Sequence, residues 1–397
     1  MPNDRQLFKQ FLGQTSQFPM MLEIERAEGL YMYDKEGNEV MDLISGIGVS
    51  SVGHRHPAVL SAIQNQLEKH LHVMVYGEFV TSAQVQLAEA LTATLPDSID
   101  NAYLVNSGSE AVEGALKLTK RYTGRTEIIS FQNAYHGSTA GALSVCGSED
   151  LKNSFRPLVP GGKILAFGQE EELKEISQQT AAVIIEVVQG EAGVQTANTD
   201  YFTKLQQQCN EAGCLLIVDE IQSGFGRTGK FWAFEHYCLT PDVVLCAKAM
   251  GGGMPMGAFM ASREVMQCLT TDPILGHITT FGGHPVSSAA SLATLQVIQK
   301  ENLMADVEKK EALFHRLLIH DHILNIRSKG LMIAVEFESF ELLEKIIKNL
   351  LDLGVLSDWF LFCDNSMRIA PPLIISEEEI KKACSKILQA IDMSLEG

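Results

Sequence analysis

Two charged residues stand just past two apolar runs. Leu215-Leu216-Ile217-Val218 ends at Asp219-Glu220-Ile221-Gln222, and Val243-Val244-Leu245-Cys246 ends at Ala247-Lys248, followed by Gly251-Gly252-Gly253. Short β-branched runs of this kind predict buried strands. In an open α/β sheet, ligands bind beyond the carboxyl ends of the strands, so Asp219 and Lys248 are expected to face one crevice. A lysine held in an apolar wall has a lowered pKa and attacks a carbonyl to form a Schiff base. An acid facing a pyridine nitrogen keeps that ring protonated and able to accept electrons. Either charge alone reads as an ordinary strand-end residue. The pair, with glycines that let backbone approach a ligand, indicates a site.

An anion site is expected nearby. The strand Ala102 to Val105 runs into Asn106-Ser107-Gly108-Ser109-Glu110-Ala111, after which Val112, Ala115, Leu116 and Leu118 continue at helical spacing. Free N–H groups and two hydroxyls at a helix start favour a phosphate dianion. Ser107 or Ser109 also fits an N-cap. Gly224-Phe225-Gly226-Arg227-Thr228-Gly229-Lys230 matches the spacing of a nucleotide P-loop, but Phe231 stands where Ser or Thr must hold Mg²⁺, which argues against an NTPase. Tyr135-His136-Gly137 follows the strand Glu127 to Phe131 and opens toward the same crevice, where an aromatic can stack on a planar ring. His54-Arg55-His56-Pro57 reads as a turn, and no metal is expected.

The elements that must position these residues alternate. Strands are predicted at Ala102 to Val105, Glu127 to Phe131, Lys163 to Ala166, Ala181 to Glu186, Leu215 to Asp219, Val243 to Cys246 and Gly257 to Ala261. Strands separated by helical or loop segments give an α/β fold with a mostly parallel, helix-covered sheet. From Pro285 to about Leu318 the apolar spacing is helical. A smaller domain then follows, with a strand over Gly330 to Phe337, a helix over Leu342 to Leu353, a short strand at Met367 to Ile369 and a closing helix over Glu377 to Met393. Near the start, Gly29 to Tyr33 and Glu39 to Leu43 form a strand pair around the turn at Asp34-Lys35-Glu36-Gly37. The expected division is an N-terminal segment 1–46 packing with the small domain, a large domain 47–285, and a linking helix with the small C-terminal domain over 286–397.

A chain of 397 residues, 46% hydrophobic and 20% charged, suits one large domain and one smaller one. Its formal charge of −18 argues against a nucleic-acid or anionic-membrane surface. Eight cysteines without C-x-x-C spacing suit reduced thiols in a cytoplasmic protein. Met1 to Gln17 has no secretory apolar core and no apolar run approaches about 18 residues, so neither secretion nor membrane insertion is expected.

These motifs, with Glu186 to Glu191 (EVVQGE), Asp219 to Gly229, Thr279-Thr280-Phe281-Gly282-Gly283 and Arg368-Ile369-Ala370-Pro371-Pro372, occur in the order seen in class III aminotransferases. The chain resembles the acetylornithine, ornithine and 4-aminobutyrate aminotransferase group from about Gly29 to Pro372. The resemblance implies a fold type I enzyme dependent on pyridoxal 5'-phosphate (PLP), with a seven-stranded large-domain sheet and a smaller α+β C-terminal domain. It implies that Lys248 carries the cofactor as a Schiff base and shuttles the proton, while Asp219 pairs with the pyridinium nitrogen. Gln222 would approach the ring hydroxyl, Tyr135 and Ile221 would cover the two ring faces, and Ser107, Gly108 and Ser109 would hold the phosphate. His136 and Glu186 complete the implied cofactor site. Thr280 would reach the phosphate of a neighbouring subunit, which requires a homodimer.

The same resemblance places Arg368 and Glu191 on two sides of the substrate pocket. A bare arginine there would need a carboxylate partner, which Glu191 can supply. The expectation is a clamp that is closed when an ω-amine enters and open when an α-carboxylate competes for Arg368. The group usually carries Arg immediately after its aromatic-x-Gly motif, to bind a substrate carboxylate; here that position is Ser138. Ile47 resembles the acetylornithine type. The reading is an aminotransferase that moves an amino group from an ω-amino donor, an ornithine derivative or ω-amino acid, to a 2-oxo acid. The alternative is a PLP aminomutase of the glutamate-semialdehyde type.

Overall fold

The computed structural model describes residues 3–75 and 78–396. Seven strands form the central sheet in the order Asn101–Val105, Gly257–Ala261, Val243–Cys246, Leu215–Asp219, Thr180–Ile185, Glu127–Phe131 and Gly162–Leu165. The last five are parallel to one another, and Gly257–Ala261 runs antiparallel to both of its neighbours. All seven match predicted strands to within one residue at each end.

These strands are buried on both faces, and their alternation decides which helix each residue meets. Val183, Ile185, Leu216, Val218, Val244 and Cys246 face one core. Ala182, Ile184, Leu215, Ile217, Val243 and Leu245 face the other, against the helix Gly108–Thr123. Apolar residues on both faces read as unbroken runs, which is why the strands are visible in the sequence.

A second layer is built from sheets at the two ends of the chain. Asn325–Lys329, Met332–Glu336, Cys363–Ile369 and Asp358–Phe360 form an antiparallel sheet in that spatial order. Arg26–Glu28, Tyr31–Tyr33 and Glu39–Asp42 form an antiparallel meander, and Val355–Leu356 adds to it in parallel. Leu30, Met41 and Leu43 share one apolar core with Leu343, Ile346, Ile369 and Ile387, so the N-terminal segment packs with C-terminal elements.

Three features depart from the sequence reading. The helical stretch expected to about Leu318 is two helices, Pro285–Lys300 and Val307–Leu317, parted by a turn in which Asn302 has φ +51°. The first of them buries Ala290, Leu295, Val297 and Ile298 in the large core rather than in the small one. Asp358–Phe360 was not foreseen, because three residues give too little periodicity to read.

Gly224 to Lys230 forms turns with no α-helix behind them, so it lacks the helix start that a P-loop requires. Its Arg227 is buried and acts as a tie. The guanidinium donates to Ser51 Oγ at 2.9 Å, to Leu331 O at 3.2 Å and to Pro371 O, joining segments distant in sequence.

Candidate active site

A cavity of about 470 Å³ lies at the carboxyl ends of the central parallel strands. Ser107, Gly108 and Ser109 line it from the start of the Gly108–Thr123 helix, and Tyr135 and His136 from the loop after Glu127–Phe131. Glu186 and Glu191 enter after Thr180–Ile185, Asp219, Ile221 and Gln222 at the end of Leu215–Asp219, and Lys248 after Val243–Cys246. Most of the wall is therefore the segment just past a buried strand or the N-terminus of a helix. That is the geometry expected of an open α/β sheet.

Lys248 has φ +47°, a left-handed conformation that a lysine adopts at some cost. Among the described residues its ammonium has no hydrogen-bond or ion-pair partner. Burial pushes its pKa below the ordinary lysine value, an effect that the charge of Glu191 opposes in part. An unpaired amine with a lowered pKa can serve as nucleophile and proton carrier.

Asp219 is fixed from behind. Its Oδ1 accepts the Ile221 N–H at 3.0 Å, and Oδ2 accepts from His136 Nδ1 at 2.7 Å. The imidazole is buried and its Nε2 lies 3.3 Å from Ser130 Oγ. His136 thus aims the carboxylate into the cavity. Glu186 accepts the Tyr135 N–H at 2.8 Å and the Gly190 N–H at 3.2 Å, and burial with the nearby Asp219 charge raises its pKa. It braces the loop that presents Tyr135.

At the helix start, Ser107 Oγ accepts the Glu110 N–H at 3.2 Å, so Ser107 is an N-cap as well as a cavity residue. Ser109 Oγ lies under the Ser138 N–H at 3.3 Å. Gly137 permits this approach: its φ is +129°, and a Cβ there would fall 2.2 Å from Ser109 Oγ. Ser138 itself is exposed outside the cavity lining, with its hydroxyl 3.1 Å from Tyr135 Oη.

Arg368 and Glu191 form a forked pair, Nη1 to Oε1 at 2.8 Å and Nη2 to Oε2 at 2.9 Å. Burial would raise the Glu191 pKa, but the hydrogen bonds and charge of Arg368 prevail and hold it at about 2. Gln222 Nε2 donates to Glu191 Oε1 at 3.0 Å. Arg368 and Ile47 line a small pocket beside the main cavity, with Gln222 shared between the two. Ile47 has φ +62° and ψ +52°, which is strained for a β-branched residue and marks a loop held by its surroundings. Thr280 is exposed and lies outside the cavity of its own chain, with its carbonyl accepting from His72 Nε2 at 3.0 Å.

The sequence reading missed Asn106, Val49 and the Met254-Pro255-Met256 segment, all of which line the cavity. It also missed Asp358, which binds Arg368 Nε at 2.9 Å. No local signal marked it, because its three-residue strand Asp358-Trp359-Phe360 is too short to show a period. His54 and His56 do not converge: His54 Nε2 meets Asp42 Oδ2 at 2.8 Å, while His56 Nδ1 caps the following helix.

The family model of class III aminotransferases matches residues 13–391. The chain belongs to that family. It is 39% identical over 391 residues to an acetylornithine aminotransferase of Methanopyrus kandleri, covering 97% of this chain and 98% of the relative. A [LysW]-aminoadipate semialdehyde/glutamate semialdehyde transaminase of Sulfolobus acidocaldarius is 37% identical over 375 residues, covering 93% and 95%. The ornithine aminotransferase structure from Toxoplasma gondii superposes with a TM-score of 0.90 at 30% identity, covering 98% of this chain and 93% of that one. The protein is a pyridoxal-phosphate-dependent aminotransferase, and these relatives support transamination over aminomutase chemistry.

The cavity fits that cofactor. It has the size of a small-molecule site, with an unpaired amine, a carboxylate aimed by a buried imidazole and a helix N-terminus bearing two hydroxyls.

Proposed function

We propose that the enzyme takes an amino group from the terminal carbon of an ω-amino donor, an ornithine derivative or ω-amino acid, and delivers it to a 2-oxo acid. The observation that carries this reading is the closed Glu191–Arg368 fork at the cavity wall. While Glu191 occupies the guanidinium, an α-carboxylate finds no cation there, and an ω-amine can enter without one. When a 2-oxo acid enters, its carboxylate competes for the same fork and Glu191 turns aside. One site then accepts two unlike substrates in turn. The names of the relatives, which include acetylornithine and semialdehyde transaminases, point the same way.

Bound pyridoxal phosphate supplies an aldehyde that condenses with amines and a ring that accepts the electron pair released at the amino-bearing carbon. The residues divide the remaining work. Lys248 Nζ would be the covalent anchor and, once released, would take the proton from the donor carbon and return it later. Asp219, steadied by His136, would hold the ring nitrogen, and Gln222 would approach the ring hydroxyl. Tyr135 and Ile221 would cover the two ring faces, while Ser107, Gly108 and Ser109 with the helix N-terminus would hold the phosphate.

A homodimer is part of the proposal. Leu71, Met74, Phe79 and Val80 are exposed in one segment and Ile274, Ile278 and Phe281 in another. The segments meet where His72 packs against Phe281 at 5.0 Å between ring centroids. A surface of this kind calls for a partner, and it would carry Thr280 toward the neighbouring site. Among the described residues no helix is long and apolar enough to cross a membrane. Scattered cysteines without disulfides suit the cytoplasm.

An amino-donor screen tests the reading. With 2-oxoglutarate or pyruvate as acceptor, N-acetylornithine, ornithine or 4-aminobutyrate should change the cofactor absorbance in a single turnover faster than α-amino acids without an ω-amine. A holoenzyme that responds only to α-amino acids overturns it.

A further inference from the structure

Arg368 is held by more than Glu191, and the second grip comes from its own sheet. Asp358 stands directly opposite Arg368 in the antiparallel pairing of Asp358–Phe360 with Cys363–Ile369. Its Oδ1 accepts Arg368 Nε at 2.9 Å. Trp359 O accepts Nη2 at 3.1 Å, and the Phe360 ring lies 4.6 Å from the guanidinium carbon. Three successive residues of one short strand therefore seat the guanidinium by an edge, a carbonyl and a face. Glu191 comes from a different element, the segment after Thr180–Ile185, and takes the Nη1–Nη2 end.

We infer that Asp358 is the positioning residue for Arg368: it pins Nε so that the Nη1–Nη2 fork stays aimed at the cavity when Glu191 turns aside, and its charge tempers how tightly that fork holds a substrate carboxylate. The inference rests on the proposed function, in which a 2-oxo acid displaces Glu191. The division of labour follows from the strand pairing. Asp358 and Arg368 are register partners on adjacent strands, whereas Glu191 stands in the turn after Val188–Gln189, outside that sheet; its backbone is tied to the hairpin by the Phe362 N–H at 3.0 Å, so it is the Glu191 side chain that turns aside. An arginine freed from its only partner would lose its orientation along with its counter-charge. Here one carboxylate can leave while the other keeps both.

The charge on Asp358 acts in the opposite sense to its hydrogen bond. A carboxylate already on Nε satisfies part of the guanidinium's field, so an incoming carboxylate is held less tightly and is released more easily. Arg368 faces Asp358 from the opposite strand, Glu191 from the turn after Val188–Gln189 and Asp42 from the N-terminal meander. Burial pushes the Asp358 carboxyl up to about 6; Arg368 opposes the rise, and Glu191 and Asp42 add to it. The group therefore changes charge near neutrality, where the enzyme would work.

Two substitutions separate the two effects. Asp358→Asn keeps an acceptor for Nε and removes the charge, whereas Asp358→Ala removes both. The probe is glutarate, a dicarboxylate with no oxo group to react, titrated calorimetrically into the holoenzyme of the parent, both variants and Arg368→Ala. Asp358→Asn is expected to bind glutarate at least as tightly as the parent, and Asp358→Ala about tenfold more weakly than Asp358→Asn, the scale of one charge-assisted hydrogen bond. The advantage of Asp358→Asn over the parent should shrink as pH falls through about 6, since the parent then loses the same charge. In turnover, the KM for the 2-oxo acid should follow these affinities, while the KM for the ω-amine stays within about twofold of the parent, since that half-reaction leaves the fork closed.

Equal glutarate affinity in Asp358→Asn and Asp358→Ala overturns the pin. If affinity falls in Arg368→Ala but neither Asp358 variant differs from the parent, the inference alone fails and the carboxylate reading of Arg368 stands. If Arg368→Ala binds glutarate like the parent, both are overturned.

Discussion

The chemistry rests on an amine without a partner and an acid with two. Lys248 and Asp219 occupy the ends of the Val243–Cys246 and Leu215–Asp219 strands, and Asp219 is steadied by a histidine that makes no use of the substrate side. Removing that acid should leave the protein folded, because its partners are a loop N–H and an imidazole rather than core contacts. Asp219→Ala should slow turnover by at least about 10²-fold in steady-state assays with an unchanged circular dichroism spectrum. Near-parent rates would move the ring-pairing role to another acid, with Glu186 the nearest alternative. Ser138 is the complementary case, a short exposed hydroxyl beside the Tyr135 phenol. Ser138→Arg should raise kcat/KM for a donor with a distal carboxylate by more than about tenfold, as the roughly 1.5 to 3 kcal/mol of a charge-assisted contact implies. A fall in 2-oxoglutarate use on that substitution would show that another cation already serves that carboxylate. Lys248, Asp219 and the serine turn were legible because each follows a strand that announces itself. Asp358 was not, because its role depends on a hairpin register that three residues of sequence do not reveal.

At the scale of elements, buried carboxyls hold the turns that hold the site. Glu220 follows Asp219, accepts the Phe234 N–H at 2.8 Å and the Ser223 hydroxyl at 2.7 Å, and so ties the loop after the strand to the segment that ends it. Burial raises its pKa from 4.5 to about 7. An acid with a raised folded-state pKa binds more protons folded than unfolded between those two values, so its contribution to stability falls as pH rises from 4.5 to about 7 and is level above. Glu220→Gln keeps an acceptor and cannot ionise. Its melting midpoint, relative to the parent, should therefore rise across that window; a constant offset from acid to alkaline pH would refute the assignment. The strands of the large sheet were readable from their apolar runs. The split at Asn302 was not, because helical spacing resumes after the turn, and only packing sends Pro285–Lys300 into the large core.

For the molecule as a whole, the proposed site takes its cofactor side from the large sheet, Arg368 from the sheet of C-terminal strands, and what Thr280 reaches from a second copy. The two layers are stitched by buried contacts such as those of Arg227 with Ser51, Leu331 and Pro371. The sequence showed Arg227 within a misleading glycine pattern and within the Asp219 to Gly229 family motif, but neither revealed its role as a tie. Its partners come from three separate segments, and no local pattern records such a convergence. If the exposed face around Ile278 and Phe281 is covered by a second copy, Ile278→Glu should shift the mass measured by light scattering from dimer toward monomer and lower PLP retention on dialysis. A monomeric parent of full activity would contradict the shared site.

One lysine, Lys248, is proposed to carry both the cofactor and the proton. Reduction of the PLP-loaded enzyme with borohydride, followed by proteolysis and mass spectrometry, reads the attachment point directly. A single modified residue, Lys248, is expected, with no modification and almost no turnover in Lys248→Ala. A label on any other lysine, or an active Lys248→Ala enzyme, would contradict it.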